Sequence, residues 1–188
     1  MTLIAAVIQD GQVCMLGDSM AGDTASGGYH LTRQPKVFPL GPLLVGYTSS
    51  FRMGQILTHG LKTPSPSGDL GEWLRGVFID RVRRAFERSG YGDGKNSTGG
   101  TFLIAGAGRI FVVQDDFAVL ESTRDYAAVG AGVAHAEGVL GALGAHGLPP
   151  QERLLAAARA AQAHNVWVAP PWHLRWSHHP DDVLTVPA

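Results

Sequence analysis

The chain opens on an unbroken apolar run, Leu3 to Ile8, set directly behind Thr2 and closed by the turn Asp10-Gly11. Such a run predicts a buried strand, and Val13 to Leu16 beyond the turn predicts its hairpin partner. Most domains leave their first residues loose, so a strand starting here makes Thr2 an anchored end. After Asp18 and Ser19 a Gly-rich connection runs from Gly22 to Gly28. Two short strands follow, Lys36 to Leu40 and Leu43 to Tyr47, around Gly41-Pro42. Ser49 and Ser50 are N-cap candidates for a helix from Phe51 to about Gly60, and residues 62–68 (KTPSPSG) form a breaker-rich loop.

Asp69 caps a longer helix with Leu70, Trp73, Leu74, Val77, Phe78, Val82, Ala85 and Phe86 at three- and four-residue spacings. Its other face carries Arg75, Arg81, Arg84 and Arg88, which reads as a solvated face, with a partner surface as the alternative. Residues 90–100 (GYGDGKNSTGG) read as a flexible loop. Strands return at Thr101–Ala105, Ile110–Val113 and Phe117–Glu121, with turns at Ala107-Gly108 and Asp115-Asp116. Tyr126 to Val129 leads into an Ala/Gly-rich helix from about Ala131 to Ala145, and Pro149-Pro150 starts another that reaches about His164. A Pro- and Trp-rich stretch follows, with strand signals near His173–Trp176 and Val183–Val186. Residues 177–188 read as a C-terminal tail.

The order β-β-β-β-α-α-β-β-β-β-α-α implies hairpin-joined antiparallel sheets with grouped helices outside, an α+β fold in layers. No linker separates two compositions, so residues 1–188 read as a single domain. Hydrophobic residues at 45% supply a core, and 15 basic against 16 acidic residues give a net charge of -1. That balance leaves no footprint for nucleic acid. No apolar run reaches the length of a membrane helix, and no basic n-region precedes the first one. The single Cys14 fits a reducing compartment, so the expectation is a cytoplasmic protein with no membrane partner. Cys14 itself alternates into a buried strand and reads as core.

Three stretches carry candidate chemistry: "TLIAAVIQDGQVCMLGDS", "KVFPLGPLLVGYTSS" and "AVGAGVAHAEGVLGAL". Together they resemble the proteasome β-subunit family, and particularly its bacterial relative, the HslV peptidase. The first resembles the family's opening, with a threonine at the strand start and an Asp on the next strand before a Ser. The second resembles the lysine-bearing strand and the turn before the first helix. The third resembles a Gly-Ser-Gly turn that opens a helix. The resemblance covers nearly the whole chain, ending near Trp176. It implies the N-terminal-nucleophile hydrolase fold, a four-layer αββα sandwich of two stacked antiparallel sheets. It also implies assembly into a homo-oligomeric ring or double ring, with an unfoldase ATPase as a possible partner and peptide or unfolded protein as substrate.

The same resemblance assigns the catalytic positions to Thr2, Asp18 and Lys36. An alkyl hydroxyl needs a nearby base. With Met1 removed, Thr2 would carry that base as its own α-amine, of unperturbed pKa about 7.7–8.0. Threonine is small enough for methionine aminopeptidase to expose it. Lys36 would sit charged beside the hydroxyl, and Asp18 would hold Lys36 by an ion pair. The backbone N–H of Ser50 would serve the oxyanion hole. Ser19, Ala131 and Asn165 are the supporting positions. Here the chain departs from the family pattern: Ala131 stands at the Gly-Ser-Gly serine, and Asn165 and Val168 stand where proteasomes have an Asp and a Ser. The second reading is therefore a catalytically inactive ring or scaffold protein of the same fold.

Two other patterns in the chain are incomplete. Gly130-x-Gly132 before a helix matches part of a dinucleotide loop, but His135 occupies the third small position and no acidic ribose partner follows. His173, His178 and His179 lack the Cys or carboxylate spacing that a metal site would show. The reading calls for no cofactor and no metal. The Trp-rich end reads as a docked segment or a subunit contact, with Trp172 and Trp176 as anchors in the latter case.

Overall fold

In the computed structural model, residues 2–22, 26–92 and 99–187 are described. Met1, whose removal the sequence reading requires, lies outside them, as do parts of two connections read as Gly-rich or flexible, residues 23–25 and 93–98.

The opening hairpin forms as its pattern predicts. Strand β1 (Leu3–Gln9) pairs antiparallel with β2 (Gln12–Gly17), from Ile4↔Gly17 to Gln9↔Gln12. Period-two alternation then divides β1 between two environments. Leu3, Ala5 and Val7 pack in one apolar cluster with Leu140, Leu154, Ala157 and Ala158. Ile4 and Ala6 point the other way, into a cluster with Val37, Leu44, Leu103 and Ile110. Buried on both faces, β1 can be apolar throughout, which is why its sequence does not alternate.

Strands β3 (Met20–Gly22) and β4 (Tyr29–Leu31) form a small hairpin of their own inside the connection read as Gly-rich. Strands β5 (Val37–Leu40), β6 (Leu43–Tyr47), β7 (Phe102–Gly106), β8 (Arg109–Val113) and β9 (Val119–Glu121) make one antiparallel sheet in chain order. Strand β9 starts two residues later than the sequence suggests. Phe117, at φ 70°, is consumed by the turn, where its N–H donates to Gln114 O.

Helix α1 (Phe51–Gln55) continues as a π-helical turn, Ile56–Gly60. Its N-cap is Ser50, whose Oγ accepts from the N–H groups of Arg52 and Met53. Asp69 caps α2 (Leu70–Trp73) in the same way, accepting from Glu72 N–H at 3.0 Å. A second π-helical turn, Leu74–Phe78, joins α2 to α3 (Ile79–Arg88). The buried faces of these helices, including Met53, Leu57, Leu74, Phe78, Val82 and Phe86, pack on Val45, Phe102, Ile104 and Phe111 of the β5–β9 sheet.

The second sheet has the order β10-β1-β2-β11-β12 and is also antiparallel. It comprises β10 (Tyr126–Gly130), β11 (Trp172–Trp176) and β12 (His179–Val186) beside the opening hairpin. Helices α4 (Val133–Leu143) and α5 (Pro150–His164) cover its outer cluster. Two expectations change here. The stretch from residue 177, read as a tail with a strand signal only near Val183–Val186, supplies edge strand β12 from His179 onward, with Trp172 opposite Val186 and Trp176 opposite His179. Trp172 is fully buried in the molecule's own core, so it is no exposed anchor, whereas Trp176 is half-buried against that core.

Candidate active site

Thr2 lies immediately before β1, Asp18 and Ser19 between β2 and β3, and Lys36 immediately before β5. The ends of three strands therefore deliver three side chains from distant points of the chain to one place. Lys36 Nζ donates to Thr2 Oγ1 at 2.7 Å, to Asp18 Oδ1 at 2.7 Å and to Met20 O at 2.5 Å. An ammonium has three N–H donors, and here three acceptors meet them.

Asp18 is equally enclosed. Its Oδ1 also accepts from Leu3 N–H at 3.1 Å, and its Oδ2 accepts from Met20 N–H at 3.0 Å and Ala169 N–H at 3.4 Å. The Lys36 and Asp18 side chains are both 0% exposed. Burial pulls Lys36 below the usual lysine range, and the Asp18 carboxylate acts against that shift. Burial likewise pushes Asp18 up, opposed by Lys36 and by the N–H groups of Leu3 and Met20. The three-acceptor cage favours the ammonium form of Lys36 over the neutral amine. Removing two charges from water costs several kcal/mol per ion, so such a pair persists only where further hydrogen bonds satisfy it, as these do.

The opening strand end is held from the other side. Ala131 N–H donates to Thr2 O at 2.7 Å, and Asn165 Nδ2 donates to Ala131 O at 2.6 Å. Asn165 Oδ1 in turn accepts from Trp167 N–H at 2.9 Å. Asn165 thus reaches the Thr2 backbone through Ala131, while Val168 is buried among apolar side chains. Gly130 stands at φ 105° against the Thr2 carbonyl, where a Cβ would collide with that oxygen.

Two of the positions read from the sequence are directed elsewhere. The Ser19 hydroxyl donates to Pro171 O at 2.5 Å and lies 3.3 Å from His173 Nδ1, so it ties β11 to the connection after β2. The Ser50 N–H donates to Thr48 O at 2.7 Å across a γ-turn centred on Ser49, at φ 61°. That donor is engaged. The Ser49 N–H, at the centre of that turn, has no acceptor among the described residues.

Some residues of the site carried no sequence signal. Met20 contributes its carbonyl, which no side-chain pattern reveals. The Phe51 ring stands 5.5 Å from Lys36 Nζ, within cation–π range, and meets Tyr47 edge-on at 6.0 Å. Tyr47 packs against Gly54 so closely that any Cβ there would enter its ring. Its hydroxyl is buried with no hydrogen-bond partner among the described residues, and burial together with the Asp18 charge pushes the phenol up to about 12. The histidines do not gather: His173 is buried against Ser19, whereas His178 and His179 face each other with ring centres 4.6 Å apart. Among the described residues no three His, Cys, Asp or Glu side chains form a group that could hold a metal ion.

No protein-family model matches the sequence, and no curated protein matches it. Solved structures do. BPH from Thiobacillus denitrificans, in complex with epoxomicin, has a TM-score of 0.78 at 19% identity, over 100% of both chains. HslV from Trypanosoma brucei has a TM-score of 0.66 at 16% identity, over 93% of this chain and 98% of that one. Anbu from Pseudomonas aeruginosa, described as a helical assembly, has a TM-score of 0.71 at 15% identity, over 99% of this chain and 87% of that one. The chain shares the fold of these proteasome-like N-terminal-nucleophile proteins.

Proposed function

We propose that the protein is a threonine endopeptidase with Thr2 as nucleophile, working in a chamber built from copies of itself. The observation that carries this reading is the buried Lys36 ammonium, 2.7 Å from Thr2 Oγ1 with Asp18 behind it. Once Met1 is removed, the Thr2 α-amine accepts the hydroxyl proton while Oγ1 bonds to the carbonyl carbon of a peptide. The Lys36 ammonium favours the negative charge that grows on Oγ1 as its proton leaves. The carbonyl π electrons move onto oxygen, and in this reading the unengaged Ser49 N–H serves as the donor to that oxyanion. Collapse breaks the C–N bond, the departing amine takes the proton back, and an ester remains on Thr2. Water then attacks the ester with the same amine as base, releasing the acid and restoring the hydroxyl.

The three apolar clusters, one between the sheets and one on each outer side, support the four-layer αββα reading of the fold. The likeness to Anbu, solved as an assembly, supports self-association into a ring or related array. An unfoldase ATPase that feeds unfolded protein into the chamber, in the cytoplasm, completes this reading. One observation favours the inactive ring protein instead: Ala131 brings its backbone to Thr2 but no hydroxyl.

An intact-mass measurement before and after incubation with a peptide epoxyketone decides between them. That reagent closes its ring adduct only on a free α-amine with an adjacent hydroxyl. Loss of Met1 with one adduct per chain, absent in Thr2→Ala, is the expected result. Retained Met1 with no adduct overturns the peptidase reading.

A further inference from the structure

The outer face of α3 carries a second site, which does not draw on the Thr2 chemistry. Ile79, Val82, Ala85 and Phe86 fasten α3 to the β5–β9 sheet, so the positions between them face outward. There Arg81, Arg84 and Arg88, with Lys62 and Gly60, line a cavity of about 380 Å³. Four of its five lining residues are cationic and none is acidic. Arg75, on the same face in the sequence, is diverted, with its Nε donating to Val119 O at 3.3 Å. Arg83 stands over the Phe117 ring at 5.3 Å.

Two other arginines of the molecule are answered by carboxylates. Arg109 pairs with Asp69 and Glu121, and Arg153 pairs with Asp125. Lys62, Arg81, Arg84 and Arg88 form no ion pair or hydrogen bond among the described residues, although Asp80 and Glu87 share the helix. Like charges one helical turn apart cost about 0.2–0.5 kcal/mol per pair, and Arg81, Arg84 and Arg88 make two such pairs. In a chain of net charge -1, this is a local concentration that an anion would relieve.

We infer that this cavity binds a short linear polyphosphate. Guanidinium groups present a planar fork that matches phosphate oxygens two at a time. From Arg81 to Arg88 the helix rises about 10 Å at its usual 1.5 Å per residue, the span of several linked phosphates. No aromatic ring lines the cavity to stack a base, and no apolar side chain lines it to receive a peptide side chain or an acyl tail. The anionic chain itself is what the lining recognises.

Titration of the full chain with sodium tripolyphosphate tests this, by calorimetry at about 0.15 M salt, where exposed charges beyond about 8 Å are screened. One tripolyphosphate per chain is expected. Arg84→Gln should weaken binding roughly tenfold, the loss of one charge-assisted contact. Arg159→Gln, an exposed arginine on α5, should leave it unchanged. No binding, or equal weakening by Arg159→Gln, overturns the site. Tighter binding of a nucleoside triphosphate or of an oligo-glutamate peptide overturns the choice of ligand.

Discussion

Lys36 and Asp18 hold each other with neither side chain exposed, Nζ and Oδ1 being 2.7 Å apart. Asp18→Asn leaves the ammonium buried without its counter-charge, and a broken buried pair costs about 3–5 kcal/mol. Denaturant unfolding should show that loss. The double variant Asp18→Asn/Lys36→Met removes the orphaned charge and should regain most of the stability, while forming no epoxyketone adduct. A double variant as unstable as the single one would show that the pair is not an energetic unit.

The Tyr47 hydroxyl is buried and has no hydrogen-bond partner among the described residues. Leaving such a group unsatisfied costs about 1–3 kcal/mol. Tyr47→Phe keeps the ring against Phe38, Phe51 and Gly54 and should raise stability by about 1 kcal/mol. A drop in unfolding midpoint would mean that the oxygen is bonded in solution.

His173 is buried beside Ser19, and burial, with the charges of Arg175 and Lys36, lowers its pKa. The unfolded chain takes up its proton near pH 6.5, while the folded chain resists protonation to lower pH. Between those two values the unfolded state binds more protons, so stability falls as pH drops below about 6.5. Unfolding curves at pH 7.5 and 5.5 should diverge more for the natural chain than for His173→Gln. Equal divergence in the two proteins would remove His173 as the cause.

Cys14 is 1% exposed on β2, and burial pushes its thiol up to about 12. A thiol that stays protonated and enclosed is a poor nucleophile. Iodoacetamide at pH 8 should therefore leave the native protein unlabelled and modify one site after unfolding. Rapid labelling of the native chain would place β2 elsewhere than in the core.

Much of this arrangement is legible in the chain because it depends on strand ends. The run Leu3 to Ile8, its turn and its partner strand place Thr2 beside Asp18, and the Lys36-Val37 junction starts the next sheet. What escaped reading depends on backbone geometry or on weak patterns. The engagement of the Ser50 N–H by Thr48 O follows from a positive φ at Ser49 that the Thr-Ser-Ser sequence does not announce. Strand β12 is mostly exposed, so Pro180, Asp181 and Asp182 mask the periodicity of its first half, and only Val183–Val186 reads as strand. The β3–β4 hairpin is three residues on each side, too short for alternation to show. His173 is visible as a histidine, yet its burial is set by Ser19, which lies 154 positions away in the chain.

Strand β12 also closes its sheet. Pro180 withholds one backbone donor, and Arg175 Nη1 occupies the carbonyls of Pro180 and Asp181 at 2.6 and 2.9 Å. Two carboxylates, Asp181 and Asp182, stand in the same stretch. A foreign strand arriving at this margin meets a proline and negative charge, features by which sheets resist lateral growth. The fold thereby discourages open-ended fibre growth from this side.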